Sequence, residues 1–259
     1  MFIPMNDSAV KSASRVLDLL ELFSSTSEAM GVSEVSKRLG FPKSSTYMLL
    51  TTLEGRGFIV SDEARRFQLH PAFSAEARAW IGGARGKLVH AASEPMKALV
   101  EVINETCFLT VMRSDWMAEY VAKVSSLQEL RLDAPIGRIR ELNAGSGGMV
   151  LLAHLPQDDL ERFLQEHPLQ ASTPKSIVDP ARLSKELATI RTRGYAVSEG
   201  TNYPEASGVS APVRGPHGNV VAAVSIGAPT SRFKVIRLRV IDEVRRCAEV
   251  VSKNLANVH

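Results

Sequence analysis

At 259 residues the chain is long enough for two domains with sizeable cores, and 44% apolar against 23% charged residues excludes disorder on a large scale. A formal net charge of only +3 means that a nucleic-acid partner has to be argued from pattern and placement, not from bulk charge. No run approaches the ~18 apolar residues of a membrane span, the start MFIPMNDSAVKS lacks a charged segment followed by an apolar one, and the two cysteines, Cys107 and Cys247, lie far apart, so a reduced, cytoplasmic setting is expected.

Val16, Leu17, Leu19, Leu20 and Phe23 form a helical stripe behind Ser12 or Ser14 as a cap. Residues 34 to 58, EVSKRLGFPKSSTYMLLTTLEGRGF, then give two short amphipathic helical patterns around a Gly-Phe-Pro turn. Val35 and Leu39 share one face of the first, and Gly40 can take the left-handed conformation that ends it. Pro42, with φ already near the helical value, suits the opening turn of the second. There Thr46, Leu49, Leu50 and Leu53 recur at core spacing, which turns Lys43, Ser44, Ser45, Tyr47, Met48 and Thr51 outward. Uncapped N–H groups at such a helix start favour phosphate, and short hydroxyl side chains reach base edges or backbone oxygens in a major groove.

The competing reading, a helical hairpin packed inside a larger domain, fits poorly with the segment after Leu53. Phe58-Ile59-Val60 and Phe67-Gln68-Leu69 are β-rich runs joined by the charged turn Asp62 to Arg66, a hairpin. A hairpin directly behind a recognition helix is a wing, with Arg65 and Arg66 placed to meet phosphates. Residues 31 to 70 hold six basic side chains (Lys37, Arg38, Lys43, Arg56, Arg65, Arg66) and four acidic ones (Glu34, Glu54, Asp62, Glu63), a balance of +2.

After the wing, Phe73, Ala77, Trp80 and Ile81 recur at helical spacing before Gly82-Gly83 and Gly86, the pattern of a linker helix with a hinge. Its apolar stripe is either internal core or a contact between two protomers. Leu88 to Ile103 reads as helix, with Pro95 kinking it or opening a second one behind Ser93. Thr106 to Met112 and Glu119 to Val124 read as strands joined by a Trp116-Met117 turn. Further helices are predicted at Gly148 to Leu155, Asp158 to Glu166, Pro180 to Arg193 and about Lys234 to Leu255, and further strands at Tyr195 to Glu199, Gly208 to Arg214 and Val220 to Ala228. The whole is α+β.

Ser146-Gly147-Gly148 precedes a helical pattern, where exposed N–H groups attract carboxylates or phosphates, although such a tetrapeptide alone is more often a plain loop. An enzyme is disfavoured: there is no G-x-S-x-G elbow, Walker loop or Rossmann glycine pattern, and the six histidines lack metal spacing. A winged module that binds protein would prefer large apolar residues where Ser44, Ser45 and Thr51 stand.

Ser14 to Leu20, Glu34 to Gly40, Pro42 to Thr46 and the Phe67-Gln68-Leu69 strand resemble the N-terminal domain of IclR-type bacterial transcriptional regulators. Gly137, the GMVLLA run of Gly148 to Ala153, Arg191 to Tyr195, Gly208 to Pro212 and Val221 to Pro229 follow that family's ligand-binding domain in order. The resemblance implies a winged helix-turn-helix over 9–70, a linker helix and hinge over 71–86 and a GAF-like effector-binding domain over 87–259. It also implies double-stranded operator DNA and a small-molecule effector as partners, no cofactor or metal, and a homodimer or dimer of dimers paired through the linker. By the same likeness Ser146, Gly147, Glu199, Ser225 and Gly227 line the effector pocket, with Trp116, Met117, Tyr120, Leu130, Leu132 and Ile136 as candidate walls. The chain departs from the family at Met48, where relatives usually carry Arg, at Gly148-Met149, where they show Gly-Lys, and at Gly227, where a second Ser is frequent. A roomier or less polar pocket follows, suited to a larger or more apolar organic acid, aromatic acids included.

Overall fold

In the computed structural model, which describes residues 10–24, 26, 28–73 and 81–257, the chain separates into two units, Met1–His90 and Ala91–His259. The first holds α1 (Lys11–Ser24), α2 (Val32–Leu39), α3 (Lys43–Gly55) and the antiparallel pair β1 (Ile59–Ser61) and β2 (Phe67–Leu69). Because α1 already begins at Lys11, Ser12 and Ser14 lie within it and neither caps it. Leu19 and Phe23 are fully buried, but Leu17 is 59% exposed, so the apolar stripe is narrower than its sequence suggests. The α2–α3 turn forms as expected: Gly40 adopts φ 67° and ψ 25°, and the Ser36 hydroxyl donates to the Phe41 carbonyl at 2.6 Å. Pro42 stands just ahead of α3, its carbonyl accepting from the Thr46 amide and hydroxyl, both at 3.0 Å. Leu19, Phe23, Met30, Val35, Leu50, Leu53, Ile59, Phe67 and Leu69 make the core. Met30 bridges Phe67, a third short strand contact that no sequence pattern indicated. Of the expected linker helix, Ala77 and Trp80 lie outside the described residues, while Phe73 and Ile81 pack against this core.

Helix α4 (Gly83–Ile103) carries Pro95 in its interior without a break. It is followed by β3 (Thr106–Met112), β4 (Met117–Val124), β5 (Ile139–Glu141), α5 (Ser146–Ala153), α6 (Gln157–Glu166), α7 (Pro180–Arg193), β6 (Ala196–Glu199), β7 (Ala206–Arg214), β8 (Val220–Pro229) and α8 (Thr230–Asn257). The strands form one antiparallel sheet in the order β5-β4-β3-β8-β7-β6. Alternation sends Phe108 and Thr110 to one face and Cys107 and Leu109 to the other. On the first face α5, α6 and α7 enclose a cluster including Trp116, Leu142, Val150, Phe163, Leu187 and Ala223. On the second lies α8, and burial pushes the thiols of Cys107 and Cys247 up, that of Cys247 to about 12. At the root of α8, Arg232 forks onto the buried Glu105 carboxylate at 2.5 and 2.9 Å and donates to the Leu130 carbonyl at 2.7 Å.

Candidate functional site

Helix α3 presents a surface to solvent. Lys43 and Ser44 are exposed, Tyr47 is 49% and Met48 68% exposed, whereas Thr46, Leu50 and Leu53 are buried beneath them. Ser45 and Thr51 are half-buried, and their hydroxyls donate back to helix carbonyls: Ser45 to Pro42 at 3.0 Å, Thr51 to Tyr47 and Met48 at 3.1 and 3.0 Å. With those protons engaged they offer mainly lone pairs outward. Exposed Thr52, which sequence spacing left unassigned, does the same through Met48 at 2.8 Å.

Both wing arginines are tied to their own domain. Arg65, in the left-handed region at φ 56°, reaches Glu54 at 3.3 Å and covers the Phe67 ring at 5.1 Å. Arg66 donates through Nε and Nη2 to the Ala29 carbonyl at 3.0 and 2.5 Å and sits 3.7 Å from Glu34. They brace the hairpin against the helices, and a phosphate contact by either would compete with that task. We expect Lys43→Ala to flatten the slope of log affinity against log salt by about one unit, and Arg66→Ala by well under one. Titrations of duplex DNA at several salt concentrations check this; a full unit lost with Arg66→Ala would show that its internal bonds open on DNA.

In the second unit one face of the sheet and the start of α5 enclose a cleft with about 570 Å³ of atom-free space, part of it open to solvent. Ser146, Gly147, Ser225 and Gly227 come together there, along with Phe108, Thr110, Tyr120, Leu132, Arg140, Ser198 and Asn202. Glu199 does not line it. As the neighbour of Ser198 in β6 it points the other way and pairs with Arg237 of α8 at 2.8 Å, so the family likeness falls one position from Ser198, the residue that does border the cleft. Trp116 does not line it either: its backbone turns at φ 59°, and the buried ring packs 5.9 Å from Phe163 with Arg162 over it at 5.2 Å. Met117 is also absent from the lining, while Leu130 and Ile136 are 71% and 57% exposed. The expected extra room at Gly227 is taken up, since a Cβ there would lie 2.4 Å from Leu132 Cδ2; the pocket is less polar at that point but not larger. Met149 sits in the apolar cluster, not at the cleft.

The inner end of the cleft is made of hydroxyls. Ser210 Oγ lies 2.7 Å from both Ser146 Oγ and Ser225 Oγ, and because it carries one proton, one of these neighbours must donate to it. Thr110 Oγ1 is buried without a hydrogen-bond partner. Gly147 leaves space above it: a Cβ there would stand 2.9 Å from Thr110 Oγ1 and 3.2 Å from Ser225 Oγ. The preceding Gly145 is extended and gives no side-chain cap, so the first amides of α5 open toward this space. At the outer end Arg140 stacks over Tyr203 at 4.7 Å, and its buried Nε and Nη2 have no partner. Burial lowers its affinity for its proton, with nearby Arg138 adding to the effect. Arg140, Thr110, Asn202 and Tyr203 were not singled out from sequence; the alternation through β3 would have flagged Thr110, but a three-residue strand gives Arg140 no such signal. Hydroxyls, helix amides and a guanidinium around one space, with the Glu141 carboxylate at its border, are donor types that an anion can take.

Residues 12–63 match the model of the IclR helix-turn-helix domain, and residues 84–253 match that of the bacterial transcriptional regulator IclR C-terminal domain. The regulator BhcR of Paracoccus denitrificans is 30% identical over 95% of this chain and 88% of its own length. The transcriptional repressor IclR of Escherichia coli is 28% identical over 86% and 82% respectively. Among solved structures, an IclR homologue from Microbacterium hydrocarbonoxydans, complexed with 4-hydroxybenzoate, superposes with a TM-score of 0.68 at 21% identity, covering 93% of this chain and 98% of that one.

Proposed function

The chain belongs to the IclR family of bacterial transcriptional regulators and is a DNA-binding regulator, and from that premise we propose that a small organic acid in the cleft of the second unit sets its affinity for operator DNA. The observation that carries this reading is the buried Thr110 hydroxyl, left without a partner beneath the open start of α5. An acidic group seated there would accept from Thr110, from the serine hydroxyls and from the helix amides together. The related protein that holds 4-hydroxybenzoate supports a small organic acid as the ligand. In the cytoplasm, two winged domains of a homodimer, or of a pair of dimers, would read half-sites about one helical turn, ~34 Å, apart or multiples of it. The exposed face of Lys43, Ser44, Tyr47 and Met48, with Ser45 and Thr51 as acceptors and Arg65 and Arg66 behind, would meet the groove. For the acid to act it must bind the two arrangements of the dimer unequally, and ~1–3 kcal/mol of coupling is the usual scale.

Gly147→Ala tests the reading. A thermal-shift screen of organic acids should give hits with the wild-type protein, since a ligand at a hundredfold excess over its Kd adds ~2.7 kcal/mol. Those hits should vanish in Gly147→Ala, while its ligand-free operator affinity stays within about twofold of wild type. Hits that survive the substitution would move the effector site elsewhere.

A further inference from the structure

Resting on the cleft as an organic-acid site, we infer that the effector is a diacid: one acidic group sits at the hydroxyl end under α5, and the second is clamped by Arg140 at the outer end. Each end of the cleft holds a buried donor that the protein leaves without an acceptor, and Asn202 Oδ1, an acceptor on the same cleft, is likewise unpartnered. At the inner end the donor is Thr110 Oγ1; at the outer end it is Nε and Nη2 of Arg140. Among the described residues no carboxylate pairs with Arg140, although Glu141 also borders the cleft, and Arg138 adds a second positive charge nearby. A ligand with a single acidic group satisfies one end and leaves the donors of the other unpaired.

The register sets the distance between the ends. Arg140 pairs with Ala118 in β4, and Thr110 pairs with Tyr120 of that same strand, so the two residues stand two strands apart on one sheet face. Two strand spacings, with the two-residue offset between Ala118 and Tyr120, put their Cα atoms about 12 Å apart. Stacking on Tyr203 holds the guanidinium plane in place and leaves its N–H edge to donate bidentately to a carboxylate. Arg140 is thus a specificity-determining residue for the second group.

The test compares matched pairs, succinate with butyrate and terephthalate with benzoate, by calorimetric titration of the full chain. At least one diacid should bind wild type about 30-fold more tightly than its monoacid, equivalent to ~2 kcal/mol. Arg140→Met should reduce that preference to within about threefold while leaving the monoacid Kd and the melting temperature unchanged, and Arg140→Lys should restore part of it. Equal binding of diacid and monoacid by wild type would overturn the inference, as would an equal loss of both in Arg140→Met. Monoacids that bind and are lost in Gly147→Ala would sink only the diacid assignment. If no acid of either kind binds, the organic-acid reading of the cleft falls with it.

Discussion

Met48→Asp should weaken binding to operator duplexes by about 100-fold or more, ~2.7 kcal/mol, without loss of the fold. Met48 is 68% exposed and stands beside Tyr47 in the middle of the free face of α3. The core of this domain lies on the opposite side, at Thr46, Leu50 and Leu53, so the substitution breaks no packing. The lower helix propensity of Asp costs no more than about 0.7 kcal/mol. In the complex, a carboxylate at this position would face phosphates and the acceptor-rich edge of the major groove, where like-charge juxtaposition costs several kcal/mol. Met48→Arg separates charge from shape, because it should retain or raise affinity and shift preference toward guanine at one position. Duplexes enriched from a random library by the wild-type protein supply the targets, and gel-shift titration with circular dichroism measures both effects. Wild-type affinity in Met48→Asp would remove this helix face from the interface.

Arg232→Met should destabilise the second unit by about 3 kcal/mol, at the low end for a broken buried pair because Arg232 itself is about one-third exposed. Its partner Glu105 is 2% exposed, and both carboxylate oxygens accept from the guanidinium. Methionine keeps the apolar bulk of the stem but leaves the carboxylate buried without its counter-charge. For a domain of this size the loss corresponds to a fall in Tm of roughly 6–12 °C. Adding Glu105→Gln to Arg232→Met should recover part of it, since a neutral amide costs less to bury than a carboxylate. A change under about 1 kcal/mol in the single variant would show that water reaches Glu105 and that the pair is screened like a surface one.

The DNA-binding unit was the more legible half because local signals specify it. Gly40, Pro42 and the spacing of Thr46, Leu50 and Leu53 act within a few residues of one another, and helix geometry converts that spacing directly into a buried and a free face. What could not be read there depends on partners distant in sequence: Ala29 drawing in Arg66, and Met30 pairing with Phe67. The long strands β3, β7 and β8 were legible from their runs of apolar and small residues, but β5 was not, because three residues carry no period. The cleft was half read. Family likeness led to Ser146, Gly147, Ser225 and Gly227, which all reach it, while Glu199 missed by one position of alternation and Trp116 was taken into the core by a left-handed turn. Arg140 escaped because its significance lies in Nε and Nη2 lacking an acceptor, and a missing acceptor leaves no trace in a linear pattern.

Strand β5 lies at the rim of its sheet and pairs on one side only, with β4. Among the described residues the other flank of this short rail makes no ladder, and the Arg140 side chain stacks on Tyr203, apart from the hydroxyl cluster of Ser146, Ser210 and Ser225. On the proposed diacid reading, a single edge position decides the second group, which makes this rail the place to reprogram the protein as a biosensor for a different metabolite.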